Sequence, residues 1–160
     1  MQTLTKVKDM KTTVTRYHDI SFAHRAPNDP GSCSRIHGHN YRFYFTLGSA
    51  KQEDRIIDFS VIKKLLCQWL EDNWDHRLML WEEDPIAQEY DFTKSSISLF
   101  EVLANSIVVV NFDTSVENIA RAMLTKGNEL LTNYSGNQDV KLIRVHVEET
   151  RKCSATAELC

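Results

Sequence analysis

Residues 33–49 read CSRIHGHNYRFYFTLGS: a cysteine, then two histidines flanking one glycine, then an aromatic-rich run. From His37 to Ser49 the stretch reads as a β-strand. Alternate strand residues point to one side, so His37 and His39 project from the same face, with Cα atoms roughly 7 Å apart. Gly38 between them leaves the opposite face unobstructed. The preceding TTVTRYHDISFAHR (12–25) is rich in β-branched and aromatic residues and reads as another strand. APNDPGS (26–32) supplies a turn between the two. The expectation is an antiparallel hairpin with a long connection of the kind that carries function.

Such a hairpin returns His24 close to His37. Three imidazoles and an open position are the usual donor set of a catalytic zinc site, so His24, His37 and His39 form a candidate metal set. Histidines on strands also serve as hydrogen-bonded structural residues, and the spacing alone leaves both readings open. Two other users of the His-x-His pair do not fit. A cupin pattern asks for a glutamate soon after the second histidine, but NYRFYF follows His39. A (β/α)₈ barrel takes about 250 residues, against the 160 of this chain.

That length suits a single domain over residues 1–160 with a core of its own. A 42% hydrophobic and 26% charged composition is that of a folded globular chain. The net charge of -3 with no basic run argues against nucleic-acid binding, and no stretch is long and apolar enough for a membrane span. MQTLTKVKDMKTTVTRY lacks the apolar centre of a signal peptide, which points to a cytoplasmic protein. Cys33, Cys67, Cys153 and Cys160 show no framework spacing and read as thiols.

Downstream, SVIKKLLCQWLEDN (60–73) places Val61, Leu65 and Trp69, with Leu66 and Leu70, at helical spacing. A weaker helical pattern covers 95–105, and SIVVVNF (106–112) reads as a short buried strand. Val116, Ile119, Ala120, Met123 and Leu124 repeat as a second helix, with Thr114 and Glu117 as a capping box. DVKLIRVHVEET (139–150) alternates as a strand, placing Ile143, Val145, Val147 and Glu149 on one face. The order predicts an α+β fold with helices on one face of a mostly antiparallel sheet.

Three more groups have chemical potential. Cys33, in a turn beside the candidate metal, suits a base or nucleophile. Asp75 directly before His76 can orient an imidazole for proton transfer, although the same pair also suits a solvated helix end. Glu149 continues an apolar row, where a carboxylate needs a partner such as the N–H donors of a ligand.

FAHR, C…HGHNY, IIDFSVIKK, DHR, TSVENIA and VEET, in this order from about Thr13 to Thr150, resemble the 6-pyruvoyltetrahydropterin synthase superfamily. The four-residue step from Cys33 to His37 looks like the 6-carboxytetrahydropterin synthase branch. The resemblance implies a tunnelling fold, with a four-stranded antiparallel sheet and two main helices on one face. It implies subunits joined edge to edge into trimers that pair as hexamers, with active sites at subunit interfaces. It further implies Zn²⁺ on His24, His37 and His39, Cys33 as base, and Asp75 with His76 as proton relay. Glu149 would anchor the pterin ring, with Thr150 and Thr114 nearby, and the substrate would be 7,8-dihydroneopterin triphosphate. Asp113 departs from the pattern, standing where proline commonly precedes the threonine, and 81–106 is longer than in compact members.

Overall fold

The computed structural model describes residues 12–51, 55–89, 105–134 and 139–160. Strands β1 (Thr13–His24) and β2 (His37–Ser49) form the expected hairpin. Their antiparallel register runs unbroken from Thr13↔Gly48 to His24↔His37. On β2 the inward side chains are His37, His39, Tyr41, Phe43, Phe45 and Leu47, of which the last four are fully buried. The aromatic run thus builds the core at one end of the strand and a polar site at the other. β5 (Val140–Glu148) pairs antiparallel with β2, and β6 (Ser154–Glu158) pairs antiparallel with β5.

The sheet is larger than the expected four antiparallel strands. Among the described residues six strands run in the order β4-β3-β1-β2-β5-β6. β3 (Leu78–Trp81) joins the end of β1 in parallel at Ala23↔Leu78 and His24↔Met79, and β4 (Ile107–Val110) joins β3 in parallel. LMLW is too short to announce itself by periodicity. It becomes a strand because the helix before it delivers it to the open edge of β1, whose amides need partners. β4 is an edge strand, and Val109 is 45% exposed, so the expected buried strand is only partly covered.

The first helix, α1, covers 59–73 in three parts: Phe59–Ile62, a π-helical turn at Lys63–Cys67, and Gln68–Asn73. Asp58 caps it by accepting from the Ser60 amide at 2.8 Å. Ile62, Leu66, Cys67 and Leu70 are fully buried, while Leu65 and Trp69 are only partly so. A short helix α2 (Pro85–Glu89) follows β3. The helical pattern over 95–105 lies outside the described residues apart from Asn105.

Helix α3 (Val116–Asn133) buries Ile119, Ala120, Met123, Leu124 and Leu131 against the same core. Gly127 lets it lie directly on β5, because a Cβ there would collide with Leu142. The expected capping box does not form: the helix begins one residue later, after Ser115, with no side-chain cap at that residue. Thr114 instead turns inward and donates its hydroxyl to the Arg25 carbonyl at 2.6 Å. Asp113, at the unusual position, accepts from the Ser115 amide at 3.0 Å and shapes the entry.

The predicted alternation on β5 holds only past a bulge. Thr46 faces Arg144 but Leu47 faces Leu142, leaving Ile143 unpaired. The buried row is therefore Val140, Leu142, Val145 and Val147 rather than the row through Ile143. Glu149 still follows Val145 and Val147 on the inner face.

Candidate active site

The site lies where the β1–β2 hairpin runs out of apolar residues. Phe22 and Tyr41 stack at 4.0 Å between ring centroids and close the core, and His24, His37 and His39 stand beyond them. Strand pairing sets His24 opposite His37, giving ring centroids 4.6 Å apart, with His37 and His39 at 4.9 Å. One ligand nitrogen from each imidazole lies within 4.8 Å of the others.

Two of the rings are held by backbone carbonyls. His24 Nδ1 lies 2.8 Å from the Thr114 carbonyl and His37 Nδ1 lies 2.7 Å from the Arg35 carbonyl. A carbonyl only accepts, so each Nδ1 carries a proton, which leaves Nε2 as the nitrogen available to a metal. Burial pushes the His24 imidazole below its ordinary pKa, outweighing the upward pull of the Thr114 carbonyl. Converging imidazoles, two of them oriented by backbone carbonyls, are what a zinc or similar divalent ion requires, so this donor set fits a metal.

Glu149 approaches from the end of β5. Its Oε1 lies 3.5 Å from His24 Nε2 and 4.0 Å from His39 Nε2, and the side chain is 19% exposed. The fully buried Tyr41 hydroxyl sits between, 3.0 Å from His24 Nε2 and 3.2 Å from Glu149 Oε1. Burial, reinforced by Glu149, holds this phenol well above its ordinary pKa, so it is a neutral donor. Tyr41 was legible only as a strand aromatic; its polar end gained meaning once Glu149 was brought against it.

Asp75 and His76 form a second unit. His76 Nδ1 lies 2.8 Å from Asp75 Oδ2, and Asp75 Oδ1 accepts from the Ser21 amide at 2.9 Å. The His76 amide in turn donates to the Ser21 carbonyl at 2.7 Å, so the pair is clasped to β1. Burial raises the Asp75 carboxyl, but the Ser21 amide and His76 outweigh it and hold the group below its ordinary value. His76 has φ 57, the left-handed region that a non-glycine residue enters at a cost, and its side chain is 83% exposed. A cleft of about 800 Å³ runs between the two units, lined by His39, Tyr41, Asp75, His76, Glu149 and Thr150 among others.

Cys33 is exposed, in a one-turn 3₁₀ helix (Ser32–Ser34) on the hairpin connection, where its carbonyl accepts from the Ala26 amide at 2.8 Å. It is not among the residues that line the cleft or that lie within ligand distance of the three imidazoles. Thr150 accepts at its hydroxyl from the Lys152 and Cys153 amides at 3.2 and 3.0 Å, closing the β5–β6 turn beside Glu149. Thr114 departs from the expected ligand contact. It is fully buried, its hydroxyl is engaged by Arg25 and its carbonyl by His24, so it orients a ring rather than facing the cleft.

Beside β1, Arg25 Nε lies 3.2 Å from the fully buried Asp84 carboxylate. Asp84 belongs to the long 81–106 segment, and this contact ties that segment to the residue next to His24. No sequence pattern pointed to it.

With a β-hairpin carrying three convergent imidazoles and a carboxylate at the end of β5, the fold and site define an α+β protein with a candidate metal centre. Residues 13–159 match the family described as 6-pyruvoyl tetrahydropterin synthase, and the chain belongs to that family. A Rickettsia typhi protein named 6-carboxy-5,6,7,8-tetrahydropterin synthase is 26% identical over 142 residues, 87% of this chain and 94% of that protein. Among solved structures, an uncharacterized Wolinella succinogenes protein superposes with TM-score 0.77 at 23% identity, over 94% of this chain and 99% of that one. The 6-pyruvoyl tetrahydropterin synthase of Plasmodium vivax does so with TM-score 0.68 at 20% identity, over 94% and 99%. The two structures share the fold.

Proposed function

We propose that the chain is a zinc-dependent 6-carboxy-5,6,7,8-tetrahydropterin synthase. This lyase would convert 7,8-dihydroneopterin triphosphate and one water to 6-carboxytetrahydropterin, acetaldehyde and triphosphate. The observation that carries the reading is the convergence of three imidazoles within ligand distance of one another, of which His39 lines a cleft shared with Glu149 and the Asp75–His76 pair, with an exposed thiol on the adjoining connection. The Cys33-to-His37 spacing supports the carboxy branch over the pyruvoyl one.

Zinc held by His24, His37 and His39 would polarise a side-chain hydroxyl of the substrate and acidify the adjacent C–H. Cys33 would take that proton as the base, and triphosphate departs. His76, oriented by Asp75, moves protons as the side chain tautomerises before it is cleaved. Glu149 accepts from the pterin N–H groups, and Thr150 holds the turn beside it. Thr114 keeps the His24 ring in place.

The 83% exposure of His76 supports a site completed at a subunit boundary, in a homo-oligomer of trimers paired as hexamers. Among the described residues no helix is long and apolar enough to cross a membrane. We place the reaction in the cytoplasm, supplying 7-deazaguanine and queuosine synthesis.

The test is product analysis of zinc-loaded protein given 7,8-dihydroneopterin triphosphate. Acetaldehyde with a 6-carboxypterin is the expected result. A 6-pyruvoyl product without acetaldehyde moves the chain to the sister activity, and no turnover leaves a pterin- or zinc-binding module.

A further inference from the structure

Tyr41 offers one phenolic proton to two acceptors. Because the Thr114 carbonyl fixes the proton of His24 on Nδ1, Nε2 accepts, and it lies 3.0 Å from the Tyr41 oxygen. Glu149 Oε1 lies 3.2 Å from the same oxygen. The phenol is fully buried, so no water relieves the competition. We propose that Tyr41 is a positioning residue that couples metal loading to the Glu149 carboxylate. A metal that takes the His24 Nε2 lone pair leaves Glu149 as the phenol's sole acceptor, and the carboxylate is then held by a charge-assisted hydrogen bond. Without metal the proton is shared and the carboxylate is less constrained. Metal loading therefore prepares the carboxylate that faces the cleft, and a ligand gripping that carboxylate reinforces the metal in return, because coupling between sites is reciprocal.

The inference rests on the metal and Glu149 roles proposed above, so its test separates them. Zinc affinity is measured by chelator competition for the unaltered chain, Tyr41→Phe, Glu149→Gln and the double variant, with no pterin present. Phenylalanine keeps the ring that stacks on Phe22, so the core is retained. Tyr41→Phe removes the proton that competes for His24 Nε2, so it is expected to bind zinc no more weakly than the parent. Glu149→Gln leaves the phenol a poorer second acceptor and is expected to weaken zinc by about five- to tenfold, the size of one hydrogen bond. The double variant should bind zinc more tightly than Glu149→Gln, because the competing phenol is gone. A Tyr41→Phe protein that binds zinc more weakly than the parent, or a double variant no tighter than Glu149→Gln, overturns the inference while leaving the metal site standing. A parent chain that binds no zinc overturns both.

A second measurement uses 6-methylpterin, which has the ring but no side-chain hydroxyl to meet the metal. Zinc is expected to tighten its binding on the order of fivefold in the parent and not at all in Tyr41→Phe. Equal zinc dependence in the two proteins overturns the coupling. If Glu149→Gln binds 6-methylpterin unchanged, the pterin-anchor reading falls, and the zinc cycle still decides the role of Tyr41.

Discussion

The two units of the candidate site are built in opposite ways. The imidazoles sit at the mouth of the core, with His24 buried and two rings locked by carbonyls from separate parts of the chain. The Asp75–His76 pair stands on a turn with an exposed ring, held by one reciprocal clasp to Ser21 and carrying its strain in a single left-handed residue. A metal ligand needs its lone pair aimed before the ion arrives, and second-shell bonds and packing supply that. A proton carrier has to turn between partners and meet solvent or another subunit. The difference between the units fits the two tasks proposed for them.

The strongest way to break the contrast is to remove a ligand. His37→Ala is expected to lower zinc content from about one ion per chain to near zero and to abolish turnover, as read by elemental analysis and product assay. Retained stoichiometric zinc would place the metal elsewhere. Next in size, Cys33→Ala should lose roughly 10²–10⁴-fold in turnover, the usual worth of a positioned proton acceptor, with zinc content unchanged. Lost zinc in that variant would make Cys33 a ligand instead of a base.

Asp75→Asn sharpens the comparison from the other side. Turnover should drop about 10²-fold while zinc affinity stays within about twofold, since the pair makes none of the imidazole contacts. It also carries a pH signature. The native carboxyl is held below its ordinary value, so its stabilising contribution is present above the unfolded-state pKa and is lost as pH falls through the lowered one. Acid unfolding followed by circular dichroism should therefore be less steep in the variant.

The smallest effect tests the strained turn. His76→Val, β-branched at a left-handed φ, should destabilise by about 2 kcal/mol in urea unfolding, while His76→Gly should stay within about 1 kcal/mol of the parent. Equal midpoints for the two variants would mean that the positive φ costs nothing.

The residues themselves determined a good deal. The hairpin, the register that returns His24 to His37, the helix from Val116 and the carboxylate on the inner face of β5 are all set by period-two and period-3.6 patterning and by turn chemistry, which act within a few neighbours. The His24, His37 and His39 set was legible for the same reason, because strand alternation and hairpin pairing are local rules. Other features answered only to the assembled chain. β3 is too short to carry a period and exists because β1 had an open edge, while β4, legible as a short apolar strand, lies at the edge of the sheet instead of buried. The Ile143 bulge settles which side of β5 is buried. Thr114 reads as a cap until Arg25 and His24 arrive from about 90 positions away in sequence. Tyr41 reads as one more core aromatic until Glu149 meets its hydroxyl. Hydrogen bonds between distant segments leave no periodic trace, since a single donor and a single acceptor suffice, and tertiary packing alone brings them within reach.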